Sequence, residues 1–218
     1  MKKIKSITAV LILFLSTFAI AQDDTKAKGI LDELSKKTKT YTTIKTSFSY
    51  VMEGKDGKKN EKQEGTLSLK NNKYKLEISG QEVYCDGKSI STYLKDANEL
   101  QINEMPDPNS EDAISPNTIF TIYEKGFKYK FESEKVENGK TIQLINLYPI
   151  NSKSKNYHTV KLFIDKGSKQ IASIKVLGKD GNNYTYLVKS FVSNSEMNDA
   201  LFVFDKQKHP KVEINDLR

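Results

Sequence analysis

The chain has 218 residues, with 35 Lys and Arg against 28 Asp and Glu, and its single cysteine, Cys85, excludes an internal disulfide. The basic excess is mild and spread among carboxylates, which is typical of a solvated surface and argues against the concentrated basic stripe of a nucleic-acid-binding protein. No apolar segment after the first 20 residues approaches the length that a membrane-spanning helix needs, so we expect no integral membrane protein.

The N-terminus has the three parts of a secretory signal. Three lysines within residues 2–5 form a basic segment, and an apolar run follows over residues 7–20. Ala19-Ile20-Ala21 then places small residues at the positions that a signal peptidase reads. The alternative, a membrane anchor, is disfavoured because the apolar run is shorter than the roughly 20 residues of a spanning helix.

Cleavage after Ala21 would make Gln22 the first mature residue. A lipoprotein needs a cysteine at this position to carry its acyl chains, so the mature protein is expected to carry no lipid of its own. We therefore expect residues 1–21 to be removed on export and residues 22–218 to form one domain in the periplasm. This length is sufficient for one hydrophobic core.

The mature sequence begins with helical spacing and continues with strand spacing. Apolar residues on one side and charged residues on the other predict a helix over residues 25–39. From Phe48 onward, apolar and polar residues alternate in short segments. Turn sequences such as Asn71-Asn72 and Asp86-Gly87 separate these segments, a pattern that predicts consecutive hairpins.

A break with several prolines and acids, over residues 105–115, interrupts the strand pattern. Helical spacing follows, with Ser115 as the predicted N-cap, Pro116 in the first turn and Gly126 after the end. Strand patterns then resume, and the last is residues 202–204, followed by coil. About ten or eleven strands at this spacing predict a β-sandwich or barrel.

Residues with catalytic or metal-binding chemistry are few. His158 and His209 have no partner at a metal-ligand spacing, and no nucleophile motif is present. We therefore expect no metal ion, no cofactor and no catalytic residue. A carboxylate-based hydrolase stays open as an alternative because its acids need only meet in space, but the acid pairs Asp23-Asp24 and Glu111-Asp112 lie in a terminus and a loop.

One face of the predicted sheet is rich in apolar and aromatic side chains, while Lys73, Lys75 and Glu77 fit a solvated opposite face. Two interpretations are open: an ordinary core packed against the helices, or a face that curls around a cavity for a hydrocarbon ligand. The pattern alone favours the ordinary core. The residues of this face are Phe48, Tyr50, Met52, Leu67, Leu69, Tyr74, Leu76 and Ile78.

Several segments, in their order and spacing, resemble the outer-membrane lipoprotein carrier (LolA) family over nearly the whole mature chain. Residues 30–48 resemble the first helix and strand of the family, and Gln63 to Lys70 resemble its next strand. Cys85-Asp86-Gly87-Lys88 to Tyr93 match its Asp-Gly-Lys hairpin and aromatic strand. Residues 202–204 and 212–218 resemble its C-terminal signature.

The resemblance implies a mainly β (α+β) fold, namely an incomplete, strongly curved antiparallel β-barrel covered by the N-terminal helix and a short lid helix. It implies that the apolar face lines a hydrophobic cavity for acyl chains, and that Ile119, Phe120 and Tyr123 belong to the lid. It further implies a monomeric carrier, not an enzyme. Such a carrier accepts lipid-modified proteins from an inner-membrane ABC transporter and brings them to an acceptor at the outer membrane.

The chain departs from enterobacterial members of this family at Asn71-Asn72, where those members have an Arg-Pro whose arginine bonds to the lid. The resemblance therefore implies lipid binding for this chain, but it does not imply the contact between this arginine and the lid. Three alternatives remain from the sequence: a related envelope protein that binds another lipid or senses lipoproteins, an envelope hydrolase, and a structural β-protein with a solid core.

Overall fold

One large sheet dominates the computed structural model, which describes residues 16–58, 62–105 and 115–218. Helix α1 (Ser16–Thr38) precedes the sheet. The strands are β1 (Thr43–Glu53), β2 (Gln63–Lys70), β3 (Lys73–Ile78), β4 (Gln81–Cys85), β5 (Ser89–Leu94), β6 (Glu99–Glu104), β7 (Phe127–Glu137), β8 (Lys140–Pro149), β9 (Tyr157–Asp165), β10 (Gln170–Gly178), β11 (Asn183–Ser193) and β12 (Glu213–Asp216). Short 3-10 helices lie at Ile122–Glu124, Ser152–Ser154, Asp199–Phe202 and Lys206–Lys208.

The strands follow the spatial order β12-β6-β5-β4-β3-β2-β1-β11-β10-β9-β8-β7. Strands β1 to β6 form one meander and β7 to β11 form another, and the pairing of β1 with β11 joins them. All neighbours are antiparallel except β12, which runs parallel to β6. The sheet curls without closing, so the predicted fold class, a mainly β protein with an incomplete antiparallel barrel, is confirmed.

The C-terminal part of the chain differs from the sequence prediction in two ways. β12 was predicted as coil because its four residues are all exposed and carry no apolar alternation; it forms because the edge of β6 offers unpaired backbone groups. The predicted last strand at residues 202–204 is instead the end of a 3-10 helix followed by extended backbone. Phe202 and Phe204 are buried and Val203 is exposed, so the alternation is present without a strand partner.

The short helix predicted from Pro116 is present as a 3-10 helix at Ile122–Glu124, preceded by consecutive turns. The backbone bonds here join residues three apart, as in Thr118 N to Ser115 O at 3.1 Å and Thr121 N to Thr118 O at 2.9 Å. Hydroxyl side chains in this stretch bond to nearby backbone and thereby compete with the four-residue bonds of an α-helix.

Two predictions made from the sequence fall partly outside the described residues. Residues 1–15 of the predicted signal are not described, and neither are residues 106–114, which hold most of the predicted break and the Glu111-Asp112 pair. The predicted helix over residues 25–39 is found as the C-terminal part of α1. In the described part of the chain, no helix is both long and apolar enough to cross a membrane.

Helix α1 packs on the concave side of the sheet near β7 and β10. Its residues Ala27, Leu31 and Leu34 are almost fully buried, and they join the main core formed by the inward faces of the strands. The Nζ atom of Lys26 lies 3.7 Å from the ring centre of Phe131 on β7, so the edge of the helix also contacts the sheet through a cation–π interaction.

The C-terminal segment, residues 195–217, covers part of the sheet between β2 and β6. Phe204 joins Tyr84, Tyr93 and Leu100 in a second, smaller hydrophobic cluster. The carboxylate of Asp199 bridges two lysines, at 2.7 Å from the Nζ atom of Lys70 and 2.7 Å from that of Lys73. These contacts attach the segment to the β2–β3 hairpin.

Candidate functional site

An apolar pocket of about 210 Å³ lies between the concave face of the sheet and the segment that follows the undescribed residues. Strands β1, β2, β3, β10 and β11 form its floor and walls, and residues 115–120, here called the roof segment, cover it. The pocket is lined by Thr46, Phe48, Tyr50, Leu67, Leu76, Ile78, Ser115, Pro116, Ile119, Phe120, Ile174, Tyr186 and Val188.

The register of the central strands explains why these side chains meet. Tyr50 of β1 lies opposite Tyr186 of β11, and Tyr186 lies opposite Ile174 of β10. On the other side of β1, Leu67 of β2 lies opposite Leu76 of β3. Because side chains alternate between the faces of a strand, these residues all point to the concave side.

The roof segment contacts the floor through aromatic rings. The ring of Phe120 meets that of Phe191 on β11 edge to face, with 5.6 Å between the centroids and 82° between the planes. Phe191 also contacts Tyr41, which precedes β1, at 5.4 Å. Edge-to-face pairs add stability beyond the area they bury, so this contact holds the roof segment over the pocket.

The residues just after the roof segment are attached to α1. The Tyr123 hydroxyl donates to Thr38 Oγ1 at 3.5 Å, and burial raises the pKa of Tyr123 to about 12. Glu124 accepts a hydrogen bond from Ser35 Oγ and pairs with Lys39 Nζ at 3.2 Å. The 3-10 helix Ile122–Glu124 is therefore linked to the C-terminal end of α1 by three polar contacts.

The pocket gathers five of the eight residues of the predicted apolar face and two of the three predicted lid residues: Phe48, Tyr50, Leu67, Leu76, Ile78, Ile119 and Phe120. Leu69 and Tyr74 are buried in the main core and do not line the pocket. Met52 lies on β1, as Phe48 and Tyr50 do, and is half-buried opposite Tyr184 on β11. Tyr123 faces α1 rather than the pocket.

Six residues that line the pocket were not predicted from the sequence: Ser115 and Pro116 of the roof segment, and Thr46, Ile174, Tyr186 and Val188 of the sheet. The alternation of Tyr184, Tyr186 and Val188 marks β11 as a strand with one apolar face, so the signal was present. What the sequence did not reveal is that β11 pairs with β1, because the two strands are far apart along the chain. The Thr46 hydroxyl donates to Ser190 O at 2.8 Å, and this polar side chain is thereby satisfied within the wall.

Two tyrosines, Tyr50 and Tyr186, line the pocket, and Tyr184 packs beside them without lining it. The rings of Tyr50 and Tyr186 lie 5.2 Å apart, and those of Tyr50 and Tyr184 lie 6.4 Å apart and nearly parallel. Burial, together with the neighbouring phenols, raises the pKa of Tyr186 to about 12 and also raises that of Tyr50. Their hydroxyl groups therefore keep their protons at neutral pH.

A second pocket, of about 290 Å³, lies between α1 and the ends of β8 and β9. Ile30, Leu34 and Ile164 form an apolar base, whereas charged side chains form its rim. The rim charges are paired, since Lys169 lies 3.1 Å from Glu33 and Lys166 lies 2.8 Å from Glu134. This pocket is consequently a charged surface cleft, and none of the predicted apolar face reaches it.

The two histidines lie away from the apolar pocket lining. His158 Nδ1 bonds to Thr159 Oγ1 at 2.9 Å, and the ring of His209 packs against Tyr93 and Phe204 with centroids 4.6 Å and 4.9 Å away. Among the residues with described positions, no group of three or more His, Cys, Asp or Glu could hold a metal ion.

Solved structures share the fold. An uncharacterized conserved protein from Thermus thermophilus is similar, with a TM-score of 0.57 and 13% identity, over 87% of this chain and 98% of that chain. The Mycobacterium tuberculosis lipoprotein LppX is similar with a TM-score of 0.50 and 12% identity, over 78% of this chain and 98% of that chain. At these identities the likeness shows the fold alone. None of the curated proteins matches the chain.

A match to a protein-family model identifies the family of the chain. The model of the outer membrane lipoprotein carrier protein LolA matches residues 39–205, which is more than half of the chain. The matched range contains strands β1 to β11 and every residue that lines the apolar pocket. The resemblance found in the sequence is therefore confirmed: the chain belongs to the LolA family of outer-membrane lipoprotein carrier proteins.

Proposed function

We propose that this protein is a periplasmic carrier that binds the acyl chains of lipid-modified proteins in the apolar pocket. It is exported, cleaved after Ala21, loaded by an inner-membrane ABC transporter, and unloaded at the outer membrane or an acceptor there. The observation that carries the proposal is the joint lining of one pocket by the concave sheet face and the roof segment. Family membership adds support, since the matching model describes a lipoprotein carrier.

The physical need for such a carrier follows from the hydrophobic effect. Moving an acyl chain into water costs about 0.8 kcal/mol per methylene group, so one palmitoyl-length chain carries a penalty on the order of 12 kcal/mol. Free diffusion across an aqueous compartment is therefore negligible. A pocket of aromatic and aliphatic side chains replaces the apolar environment of the membrane, and adaptable packing keeps binding reversible.

The roof segment must move for a chain to enter. A volume of about 210 Å³ is below the roughly 300–1,000 Å³ that is common for ligand pockets. Ile119 and Phe120 take up space above the floor, and both pack against the main core, Phe120 through its contact with Phe191. Displacing these two side chains enlarges the cavity without breaking any strand pairing.

The lining favours binding over hydrolysis. Among the described residues that line the pocket, the polar groups are hydroxyls, and neither His, Cys, Lys, Asp nor Glu is present. A hydrolase needs a group that takes and returns a proton near neutral pH, and none of these hydroxyls serves that role alone. The envelope hydrolase is thus the weaker alternative.

Native mass spectrometry tests the proposal. The mature protein is mixed with a synthetic dipalmitoyl-glyceryl-cysteine peptide in detergent, the detergent is removed, and the bound peptide is counted. We expect one complex for the wild type and loss of this complex for Ile119→Glu. The substitution places a charge in the roof segment and changes no residue of the sheet. Val136→Glu is the matched control, because Val136 is 73% exposed on β7.

The same samples separate the carrier from a lipid sensor on the same fold. The loaded protein is incubated with outer-membrane vesicles, and the peptide remaining on the protein is measured over time. A carrier releases its peptide to these vesicles, whereas a sensor retains it. If the wild type takes up no peptide at all, the pocket is only a gap in an ordinary core and the proposal is wrong.

A further inference from the structure

One end of the sheet exposes an aromatic and an aliphatic side chain that line neither of the two pockets. Tyr148, near the end of β8, is 39% exposed, and Ile150, the residue after β8, is 65% exposed. Leu147 is fully buried in the core, so alternation places Tyr148 on the outer face of the sheet. The backbone N of Ile150 donates to Gly126 O at 2.9 Å, so its position is anchored although its side chain is uncovered.

Two lysines border these side chains along β7. Lys128 on β7 is directly opposite Tyr148, so the two side chains lie on the same face of the sheet. Lys125 comes just before Gly126, whose carbonyl oxygen accepts the hydrogen bond from Ile150. Both lysines are exposed. Positive charge therefore adjoins the exposed apolar surface on this side.

The loop between β8 and β9 brings three further lysines to the same place. Lys153 and Lys155 belong to this loop, and the Lys179 Nζ atom donates to the carbonyl oxygen of Ser152 within it. An exposed aromatic and an exposed aliphatic side chain thus share one surface with several lysines. We call this surface the basic tip, and its residues are Lys125, Lys128, Tyr148, Ile150, Lys153, Lys155 and Lys179.

The charge of the basic tip is not neutralised by the described part of the chain. None of its lysines has an ion pair with a described carboxylate. The two acids that adjoin these lysines in sequence have other partners, since Glu124 pairs with Lys39 and Asp180 accepts two hydrogen bonds from Asn182. The tip therefore carries a net positive charge that a partner can satisfy.

We propose that the basic tip docks the protein reversibly on an anionic phospholipid surface. The Ile150 side chain and the Tyr148 ring contact the interface, and the lysines contact the phosphate groups. Tyrosine is enriched at membrane–water interfaces, and lysine stems lie along apolar surface while their ammonium groups reach charged head groups. A membrane is favoured over an acidic protein because the tip combines apolar and basic side chains in the manner of interfacial membrane anchors. This inference goes beyond the proposed function, since it concerns how the protein meets a membrane and not what the pocket holds.

Docking of this kind is weak and depends on salt. One lysine near an anionic surface raises the affinity roughly fivefold. The attraction falls off within a Debye length, which is about 8 Å at physiological ionic strength. A single isoleucine buries little area in the interface, so the protein is not held permanently and can leave the surface again.

Vesicle flotation of the mature protein tests the proposal. Vesicles of phosphatidylethanolamine and phosphatidylglycerol are compared with vesicles of phosphatidylcholine, at low and at high salt. One variant removes three charges from the basic tip through Lys125→Gln, Lys128→Gln and Lys153→Gln. The matched control removes three exposed lysines outside the tip through Lys36→Gln, Lys88→Gln and Lys135→Gln.

Fluorescence locates the contact, because the chain has no tryptophan. Ile150→Trp places a single indole in the basic tip. Val136→Trp is its matched control, since Val136 is 73% exposed near the other end of β7. Vesicles whose phosphatidylglycerol carries brominated acyl chains should quench the indole of Ile150→Trp and not that of Val136→Trp.

We expect the wild type to bind the anionic vesicles at low salt and not the phosphatidylcholine vesicles, and the tip variant to bind about tenfold or more weakly. Equal losses in the two triple variants, or binding without quenching of Ile150→Trp, would mean that net charge and not the basic tip drives binding, and would overturn the proposal. Absence of vesicle binding also overturns it and leaves an acidic protein as the remaining partner for the tip. Neither result bears on the carrier proposal, which peptide uptake tests separately.

Discussion

The ring of Phe48 lies against the backbone of Gly65, its partner across the β1–β2 pair. A Cβ atom on Gly65 would be 2.5 Å from Phe48 Cζ and 2.9 Å from the carbonyl oxygen of Glu77. Both distances are too short for any side chain, so glycine is required here by close approach and not by its dihedral angles. The absence of a side chain at position 65 lets the Phe48 ring pack directly against the backbone of β2.

Gly65→Ala tests this relationship. The carbonyl oxygen of Glu77 on β3 prevents the added methyl group from moving away from Phe48. We therefore expect the Phe48 ring to be pushed toward the pocket. We expect a loss of about 1–3 kcal/mol in the free energy of unfolding, as for other overpacked cores, and weaker binding of the dipalmitoyl-glyceryl peptide. Urea unfolding and native mass spectrometry provide the two measurements.

Gly29→Ala is the control for that substitution. Gly29 lies in α1, and no heavy atom lies within 4 Å of where its Cβ would be. Alanine there should stabilise the helix by about 0.5–1 kcal/mol. If Gly65→Ala proves as harmless as Gly29→Ala, the ring of Phe48 moves freely and the close approach has no structural importance.

Glu124→Gln should loosen the attachment of the roof segment to α1. The variant loses the ion pair with Lys39 and weakens the bond from Ser35, while every contact of the sheet is kept. We expect amides of residues 115–124 to exchange with deuterium several-fold faster and peptide uptake to accelerate. Global stability should fall by less than about 1 kcal/mol, as for other exposed pairs.

Asp32→Asn removes a comparable exposed pair, with Lys28 on α1, and should change neither exchange nor uptake. Hydrogen exchange read by mass spectrometry resolves the segment directly. Unchanged exchange in Glu124→Gln would mean that the Tyr123 and Phe120 contacts alone hold the roof segment.

The ion pairs of Asp199 with Lys70 and Lys73 should make the attachment of the C-terminal segment depend on pH. Hydrogen bonds from Lys70 and Lys73 lower the pKa of this carboxyl to about 2 from its usual 3.8. Because the folded-state pKa is depressed, the contribution to stability is present above pH 3.8 and is lost as the pH falls toward 2. Asp199→Asn should therefore melt below the wild type at pH 7, and the difference should disappear near the depressed pKa of about 2.

Salt offers an independent check on the same variant, because all three side chains are at least partly exposed. The melting difference at neutral pH should shrink as ionic strength rises. Asp96→Asn, a change at another exposed aspartate, is the control. A difference that is constant across pH and salt would show that Asp199 acts through packing and not through its charge.

The sequence predicted much of this molecule because local patterns specify local structure. Alternation from Phe48 to Ile78 identified three strands and their inward faces, and turn residues such as Asn71, which has a φ of 55°, marked the hairpin between β2 and β3. The order of the LolA-like segments identified the family, which the family model confirms. In each case the relevant residues are neighbours along the chain.

The parts that the sequence did not predict depend on contacts between distant residues. Tyr186 and Ile174 enter the pocket only because β11 and β10 lie beside β1. Strand β12 exists because β6 has a free edge, and nothing in the four exposed residues of β12 indicates that. The 3-10 geometry before Glu124 follows from competing hydroxyl bonds that helical spacing does not reveal.

The pairing of β1 with β11 also has a consequence for how the protein acquires its binding site. The Thr46 hydroxyl and Ser190 O are 144 positions apart, and closing so long a loop is among the slower events in folding. The pocket is lined by Leu67 and Leu76 from one meander and by Ile174 and Tyr186 from the other. It is therefore complete only after β1 and β11 have paired. A ligand that contacts both meanders stabilises the state in which β1 and β11 are paired, so occupancy of the pocket and completion of the fold are linked through mass action.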